Sequence, residues 1–158
     1  MKTSSTLSQP LQVINARITY RNAPIHLLER FAFADLNAAH QKVIEIAELE
    51  ECIIIQTCNR VEVFAASRNP DRQRLLEGWA SAAGLSYNEV AENIEICNRN
   101  DVILHLLELS SGLDSLVIGE DQVLGQVKRA FEFSRNNSYA GPHLSVIFDR
   151  AVKVGGKV

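Results

Sequence analysis

The feature that most constrains the fold is a pair of β-rich runs on either side of a two-residue polar break, in the segment ECIIIQTCNRVEVFAAS. The first run extends over residues 52–57 and the second over residues 60–66, with Cys58 and Asn59 between them. This pattern predicts two antiparallel strands joined by a tight turn. Because Asn tolerates positive φ, we expect Asn59 to adopt it and Cys58 to lie at the hairpin tip.

Hydrophobic periodicity outside the hairpin predicts two further strands and two helices around it. They are a strand over residues 11–19, a helix over 37–49 capped by Asp35 or Asn37, a helix over 70–83 ended by Gly84, and a strand in NIEICN. A short helical turn is also predicted in HLLERFAF. The order β-α-β-β-α-β is that of a ferredoxin-like fold, so we predict an α+β domain built on an antiparallel sheet.

The remaining third of the chain is predicted to be helical. The candidate helices are NDVILHLLELSSG, capped by Asn100 or Asp101, then DQVLGQVKRAFEFSRNN, and finally HLSVIFDRAVKV, which ends at Gly155 and Gly156. The intervening GLDSLVIGE is a loop or a short helix. Residues 1–10, rich in Ser and Thr, are predicted to be disordered.

Composition excludes several classes of protein. The 158 residues carry 16 basic and 19 acidic side chains, so the chain lacks the basic excess of a protein that binds long nucleic acid. Its apolar runs are far shorter than the ~20 residues of a membrane span, and its N-terminus lacks the apolar core of a secretory signal. Three cysteines with no CxxC pair argue against a disulfide framework or a zinc site and favour the reducing cytoplasm, with no metal.

Cys58 is the candidate nucleophile because it lies at the predicted turn, whereas Cys52 and Cys97 lie within predicted strands. A free cysteine inside a strand is most often a small buried hydrophobe. Arg60, two positions after Cys58, could stabilise a thiolate, and Thr57 supplies a hydroxyl. Glu62 could hold Arg60 in place, although Arg60 and Glu62 could equally form a solvated strand face.

His105 and a glycine-punctuated segment are the other candidates. His105 lies among leucines, where a hydrogen-bonded core histidine is the commoner outcome, but it could act as a general acid or base with Cys58. In SSGLDSLVIGEDQVLGQ, polar groups recur at Ser115, Glu120, Gln122 and Gln126, next to glycines. A helix that starts there could bind an anionic or polar ligand, or could simply have a polar face.

Two motifs in combination, TCNRVEV and SGLDSLVIGEDQVLGQVK, resemble the catalytic domain of glutamyl-tRNA reductase, which begins tetrapyrrole synthesis from glutamate. The resemblance extends to RNAPIHLLERFAF and to GPHLSVIFDRAVKVGGKV, and so covers most of the chain. It implies a catalytic domain over residues 11–145 and the start of a connecting helix over 146–158. Because no GxGxxG follows a strand, we expect the chain to be one part of a longer enzyme.

The resemblance implies that Cys58 forms a glutamyl thioester from glutamyl-tRNA and that His105 assists proton transfer. The residues that it implies for substrate binding are Thr57, Asn59, Arg60, Ser115, Glu120, Asp121, Gln122 and Gln126. It also implies NADPH on a separate domain, a homodimer of the full-length enzyme, and glutamate-1-semialdehyde aminotransferase as a partner, with no membrane association.

Two departures from the family pattern affect these expectations. The family's first strand usually ends in Asn-His-Lys-Thr-Ala-Pro, whereas residues 19–24 here read TYRNAP, and Asp121 replaces the proline after the glycine-glutamate pair. Two other classes of protein also fit the residues. One is a ferredoxin-like ligand-binding regulatory module with an incidental Cys58, and the other is a thiol hydrolase in which water resolves the acyl-enzyme.

Overall fold

The computed structural model describes residues 9–113 and 122–156, with the backbone alone at Gln122. In this part of the chain, four strands and seven helices follow one another. They are β1 (Gln12–Thr19), α1 (Ile25–Phe31), α2 (Leu36–Ala47), β2 (Glu51–Gln56), β3 (Arg60–Ser67), α3 (Arg72–Ala83), α4 (Tyr87–Asn93), β4 (Glu95–Asn98), α5 (Asn100–Ser110), α6 (Gln122–Asn136) and α7 (Pro142–Gly155). None of these helices is long and apolar enough to cross a membrane.

The four strands form one sheet in the order β2-β3-β1-β4, and every neighbouring pair is antiparallel. This is the strand order of the predicted ferredoxin-like α+β fold, which is therefore confirmed. Because directly opposed residues of antiparallel strands point to the same side of a sheet, the register assigns each side chain to a face.

The sheet has a hydrophobic core on each face. On one face, even-numbered β1 residues and odd-numbered β3 residues pack against α1–α4, around Trp79 and Phe31. On the other face, Val13, Phe64 and Ala66 pack against α5, α6 and α7. Trp79 is fully buried and its Nε1 donates to the carbonyl of Phe31 at 3.1 Å, so this indole is satisfied as well as packed.

The end of α6 and the connector from α6 to α7 cover the outer edge of β2. The amide of Cys52 donates to the carbonyl of Tyr139 at 2.9 Å, and Ser134 Oγ donates to the carbonyl of Cys52 at 2.5 Å. The buried carboxylate of Glu51 accepts from the amides of Gly141, His143 and Leu144, at 2.7–3.0 Å. This edge strand is therefore paired by backbone and fixed to the start of α7.

Three local expectations differ from the structure. Helix α4 was not predicted; Ser86 caps its start, and the Ser86 side chain accepts from the amide of Glu89. Helix α5 is preceded by Arg99 and has no side-chain cap, so neither predicted cap, Asn100 or Asp101, is correct. Asn59 is not among the described non-glycine residues with positive φ; the hydroxyl of Thr57 instead accepts its amide at 3.0 Å.

Two other local expectations are confirmed. Asp35 caps α2 by accepting from the amide of Ala38, and Gly84 ends α3 in the left-handed conformation that glycine favours.

Most of the segment GLDSLVIGE and most of the predicted N-terminal segment lie outside the described residues. The expected beginning of a connecting helix, residue 146, falls inside α7, which packs against α5 and α6.

Candidate active site

Toward the hairpin tip, the face covered by α5–α7 changes from apolar to charged. Residues that are directly opposed on β3, β1 and β4 form rows across this face. In one row, Asn15 of β1 lies between Phe64 of β3 and Cys97 of β4. In the next row, Arg17 of β1 lies between Glu62 of β3 and Glu95 of β4. The last row pairs Thr19 with Arg60 at the base of the turn.

The turn presents Cys58 to solvent. Its base is closed by the Thr57 amide, which donates to the carbonyl of Arg60 at 2.9 Å. The carbonyl of Asn59 accepts from the amide of Tyr20 at 2.9 Å, so the tip is also bound to the end of β1. Cys58 is exposed in this turn. The thiol therefore has a fixed backbone on both sides and an open approach.

The other two cysteines are in different environments. Cys52 is fully buried and burial raises the pKa of its thiol. Cys97 is half-buried, and burial raises the pKa of its thiol despite the opposing effect of the Arg17 guanidinium, 3.3 Å from Sγ. Cys58 is thus the exposed cysteine of the three, and neither Cys52 nor Cys97 is placed to form a thiolate easily.

Beside the turn, three buried ionisable side chains are connected in series by hydrogen bonds. We call them the Arg60–Glu62–His105 chain. Arg60 is 3% exposed, and one of its guanidinium nitrogens lies 2.7 Å from Glu62 Oε2. Glu62 is fully buried, and its Oε1 lies 2.6 Å from His105 Nε2 and 3.1 Å from Asn15 Nδ2. The prediction that Glu62 holds Arg60 is therefore confirmed, and the alternative of a solvated face is wrong.

Opposing effects determine the ionisation of Glu62. Burial alone would raise the pKa of this carboxyl, but its hydrogen bond and charge interaction with His105, and those with Arg60, lower the pKa below its ordinary value. Glu62 is therefore a carboxylate at neutral pH, which can only accept hydrogen bonds. Nε2 of His105 therefore donates to the Glu62 carboxylate. The ring also stacks on Phe64 at 6.2 Å.

A polar cavity of about 320 Å³ opens next to the Arg60–Glu62–His105 chain. It is lined by Arg17, Thr19, Arg21, Glu95, His105, Glu108 and Leu113. Thr19, which lines the cavity, is the cross-strand partner of Arg60. The next residue, Tyr20, donates its amide to the carbonyl of Asn59, so the cavity adjoins the turn. The cavity therefore lies on the same face as the Arg60–Glu62–His105 chain.

The predicted substrate-binding residues fall into three groups. Thr57, Asn59 and Arg60 lie in or beside the turn. Gln126 lines a different cavity, of about 250 Å³, at the β2 edge, where Gln56 is also found. Ser115, Glu120 and Asp121, and the side chain of Gln122, lie outside the described residues.

Asn15 and Arg17 are the site residues that sequence reasoning missed. Both lie in the strand predicted over residues 11–19, and neither was assigned a functional role from the sequence. The available signal was their alternation with the buried Ala16 and Ile18, which puts both polar side chains on one face of β1. In residues 9–113 and 122–156, no cluster of three or more His, Cys, Asp or Glu could hold a metal ion.

These features define a class of protein, a ferredoxin-like α+β domain with an exposed cysteine on a hairpin turn beside a buried Arg–Glu–His chain. Sequence comparison identifies the family. A profile described as "Glutamyl-tRNAGlu reductase, N-terminal domain" matches residues 16–158. The chain therefore belongs to the glutamyl-tRNA reductase family, in which it corresponds to the N-terminal domain.

Individual relatives agree with this assignment. The chain is 45% identical over 146 residues to glutamyl-tRNA reductase of Cenarchaeum symbiosum, covering 92% of this chain and 35% of the relative. It is 33% identical over 150 residues to that of Pseudoalteromonas translucida, covering 94% of this chain and 36% of the relative. The solved glutamyl-tRNA reductase of Methanopyrus kandleri superposes with a TM-score of 0.78 at 26% identity, over 92% of this chain and 33% of that one. The chain thus spans about a third of the length of these relatives.

Proposed function

We propose that this chain is the catalytic domain of an NADPH-dependent glutamyl-tRNA reductase. In this role, Cys58 takes the glutamyl group from glutamyl-tRNA as a thioester, on the way to glutamate-1-semialdehyde and then to 5-aminolevulinate and porphyrins. The observation that carries the proposal is the exposure of Cys58 on a turn bonded at both sides, next to the buried Arg60–Glu62–His105 chain. A regulatory module would not need an exposed thiol beside such a chain.

The first chemical step joins the Cys58 sulfur to the ester carbonyl carbon of the glutamyl group. The thiolate donates an electron pair to that carbon, and the C–O bond to the terminal ribose of the tRNA then breaks. The ribose oxygen leaves with the bonding pair and takes up a proton, and the glutamyl group remains on sulfur. Thiolate suits this step because it is a strong nucleophile and because a thioester is more easily reduced than the ester it replaces.

His105 is the proposed proton carrier. Its Nε2 is fixed by the Glu62 carboxylate at 2.6 Å, so the proton that moves is exchanged at Nδ1. Protonation at Nδ1 gives an imidazolium, and the adjacent carboxylate of Glu62 stabilises that charge. Arg60 adds a buried positive charge to the end of β3 that adjoins the turn of Cys58.

The substrate contacts are proposed from family resemblance and from position. Thr57, Asn59 and Arg60 are assigned to the glutamyl group because they form the turn around Cys58. The same role is proposed for Ser115, Glu120, Asp121, Gln122 and Gln126. The described residues at the end of the sheet near the turn carry charges of both signs rather than a basic excess. A large contact with tRNA phosphates would favour a basic surface, so we propose contact with the acceptor end of the tRNA alone.

NADPH supplies the hydride that reduces the thioester when it is bound. The described residues do not fit it: the sheet is antiparallel, and none of the strands within residues 9–113 is followed by a glycine-rich turn. We therefore propose that the nucleotide is held by a separate domain. From family resemblance, we also propose that the full-length enzyme is a homodimer in the cytoplasm. Glutamate-1-semialdehyde aminotransferase is the proposed recipient of the product.

Mass spectrometry after mixing the chain with glutamyl-tRNA tests the proposal. We expect one glutamyl adduct on Cys58, sensitive to hydroxylamine, absent from Cys58→Ser and retained by the matched control Cys97→Ser. Without NADPH the adduct should hydrolyse slowly, and with NADPH the isolated chain should still form no semialdehyde. Many turnovers without NADPH would indicate a thiol hydrolase instead, and the absence of any adduct would refute the proposed function.

A further inference from the structure

The outer edge of β2, which carries the chain into the turn, is held in place at alternate residues. Cys52 is bonded to the end of α6 and to the connector that follows it. The amide of Ile54 donates to Nε2 of His40 on α2 at 3.3 Å. The next alternate position is Gln56, the last residue of β2. Gln56 is two residues before Cys58, so its attachment is the one of these three that lies nearest the thiol in the chain.

The side chain of Gln56 pairs with the backbone of Phe33 through two hydrogen bonds. Its Oε1 accepts from the amide of Phe33 at 2.9 Å, and its Nε2 donates to the carbonyl of Phe33 at 3.0 Å. The two bonds fix the orientation of the Gln56 amide, because only its oxygen can accept from an N–H and only its NH₂ group can donate to a carbonyl. One side chain thus satisfies both backbone groups of Phe33.

Phe33 is itself fixed by the core of the domain. It lies in the connector between α1 and α2 and is 3% exposed. Its ring contacts that of the fully buried Trp79, with 5.3 Å between the ring centroids. Interiors of proteins are close-packed, so a residue held in this way has little freedom to move. The Gln56 amide therefore connects the end of β2 to a rigid point.

The turn is attached to the rest of the domain on both sides of the thiol. After Cys58, the carbonyl of Asn59 accepts from the amide of Tyr20 at 2.9 Å. Before Cys58, the attachment is made by Gln56, immediately ahead of Thr57. Cys58 lies between these two points and is exposed. The position of its sulfur therefore depends on both attachments.

We propose that Gln56 is a positioning residue for the reaction of Cys58, whose pairing with Phe33 keeps the sulfur in line with the ester carbonyl carbon of the bound glutamyl group. This inference rests on the proposed function, because it takes acyl transfer to Cys58 as the reaction. The reacting atoms must meet at a defined distance and angle, and a misplacement of about 1 Å can lower the rate roughly 100-fold. Gln56 acts through the backbone of the turn and takes no part in the bond changes.

Gln56→Met keeps the length of the side chain and removes both hydrogen bonds to Phe33. In single-turnover acylation of Cys58, we expect the rate at saturating glutamyl-tRNA to fall about 10- to 100-fold. The glutamyl-tRNA concentration that gives half of this rate should stay unchanged, because the orientation of the sulfur changes and binding does not. Iodoacetamide needs no fixed orientation of the thiol, so its rate of labelling Cys58 should also stay unchanged. The matched control, Gln73→Met, removes an exposed amide bonded to Glu77 and should alter none of these quantities.

Gln56→Glu supplies a readout that a general loss of stability would not move. The introduced carboxylate can accept from the amide of Phe33 but cannot donate to its carbonyl, whereas the protonated carboxyl can do both. The deficit in acylation rate, relative to the unsubstituted chain at the same pH, should therefore shrink as pH falls from about 8 to about 5.

Thermal unfolding verifies that each variant folds, and the pH dependence of Gln56→Glu carries the test if Gln56→Met does not fold. Hydrogen exchange reports the turn directly: Gln56→Met should speed exchange at the amides of Thr57 and Asn59 and leave that of Val63, within β3, unchanged. An unchanged acylation rate in folded Gln56→Met would overturn the assignment, as would a deficit of Gln56→Glu that does not vary with pH. A raised half-saturating concentration at an unchanged saturating rate would overturn it in favour of direct contact with the substrate. Failure of the unsubstituted chain to form any Cys58 adduct would instead refute the proposed function.

Discussion

Replacing Glu62 by Gln tests whether the buried charge chain is as tightly coupled as its geometry indicates. The substitution keeps the shape of the side chain and removes its charge. Three donors lose an anionic partner, namely Arg60 at 2.7 Å, His105 at 2.6 Å and Asn15 at 3.1 Å. One donor must also face the new amide NH₂ group, which cannot accept a hydrogen bond.

The expected loss of stability is about 3 kcal/mol. Breaking a buried ion pair by removing one partner costs roughly 3–5 kcal/mol, and the lower value applies because the amide oxygen of Gln can still accept one bond. For a domain of this size, each kcal/mol corresponds to roughly 2–4 °C in the unfolding midpoint. Glu62→Gln should therefore lower the midpoint by about 6–12 °C near neutral pH.

The assay is thermal or denaturant unfolding of the chain between pH 3 and pH 8. The folded pKa of Glu62 lies below its ordinary value, so its stabilisation is complete above a pH of about 4.5 and is lost as pH falls through the folded pKa. The difference between Glu62→Gln and the unsubstituted chain should accordingly shrink in acid. Glu48→Gln is the matched control, because the 72% exposed Glu48 side chain pairs with Arg74 and its loss should cost less than about 1 kcal/mol.

Two results would contradict this reasoning. The first is a loss for Glu62→Gln no larger than that for Glu48→Gln. The second is a loss of full size that does not change with pH, because it would indicate a packing defect rather than a lost charge. A double-mutant cycle with Arg60→Met supplies the coupling energy: the double variant should lose less stability than the sum of the single variants.

Three further predictions concern other parts of the molecule. Iodoacetamide near neutral pH should label exposed Cys58 faster than the two other cysteines, and faster labelling of either would show that the nucleophile is misassigned. Burial lowers the pKa of His40, whose Nε2 accepts from the amide of Ile54 at 3.3 Å. The stabilisation from neutral His40 should therefore be complete above pH ~6.5 and decline below it. In unfolding measurements, His40→Gln should flatten this dependence of stability on pH. Glu51→Ala leaves three amides at the start of α7 without their carboxylate and should cost about 2 kcal/mol or more, whereas an unchanged unfolding midpoint would mean that water replaces the cap.

Elements with a strong local pattern were predictable from the sequence. The two β-rich runs and their two-residue break determine the hairpin and its register, because a short turn leaves little freedom to slip. The conformation of the turn was not predictable from Asn59 alone, since the hydroxyl of Thr57 accepts the Asn59 amide. Helix α4 was missed although Ser86 and Glu89 have the spacing of a helix start, because α4 is short and buries only Val90.

The candidate site was predictable only in part, because its members come from distant segments. Arg60 and Glu62 share a face of one strand, so their proximity follows from the two-residue period of β structure. The contact between Glu62 and His105 spans 43 residues, and that between Glu62 and Asn15 spans 47. Neither follows from local pattern, because the first requires the packing of α5 on the sheet and the second requires the β1–β3 pairing.

The sequence of β3 illustrates how this fold combines a core with a reactive site. Phe64 and Ala66 contribute to the apolar core beneath α5–α7, while Arg60 and Glu62 continue the same face toward the turn. An apolar replacement of similar volume for the Arg60–Glu62 pair would avoid the desolvation of two charges and could leave stability unchanged or raise it. The same replacement would remove the partner that fixes the His105 imidazole and the buried positive charge of Arg60 beside the turn. Stability alone therefore gives no reason for charge at these positions, whereas the proposed acyl transfer to Cys58 does.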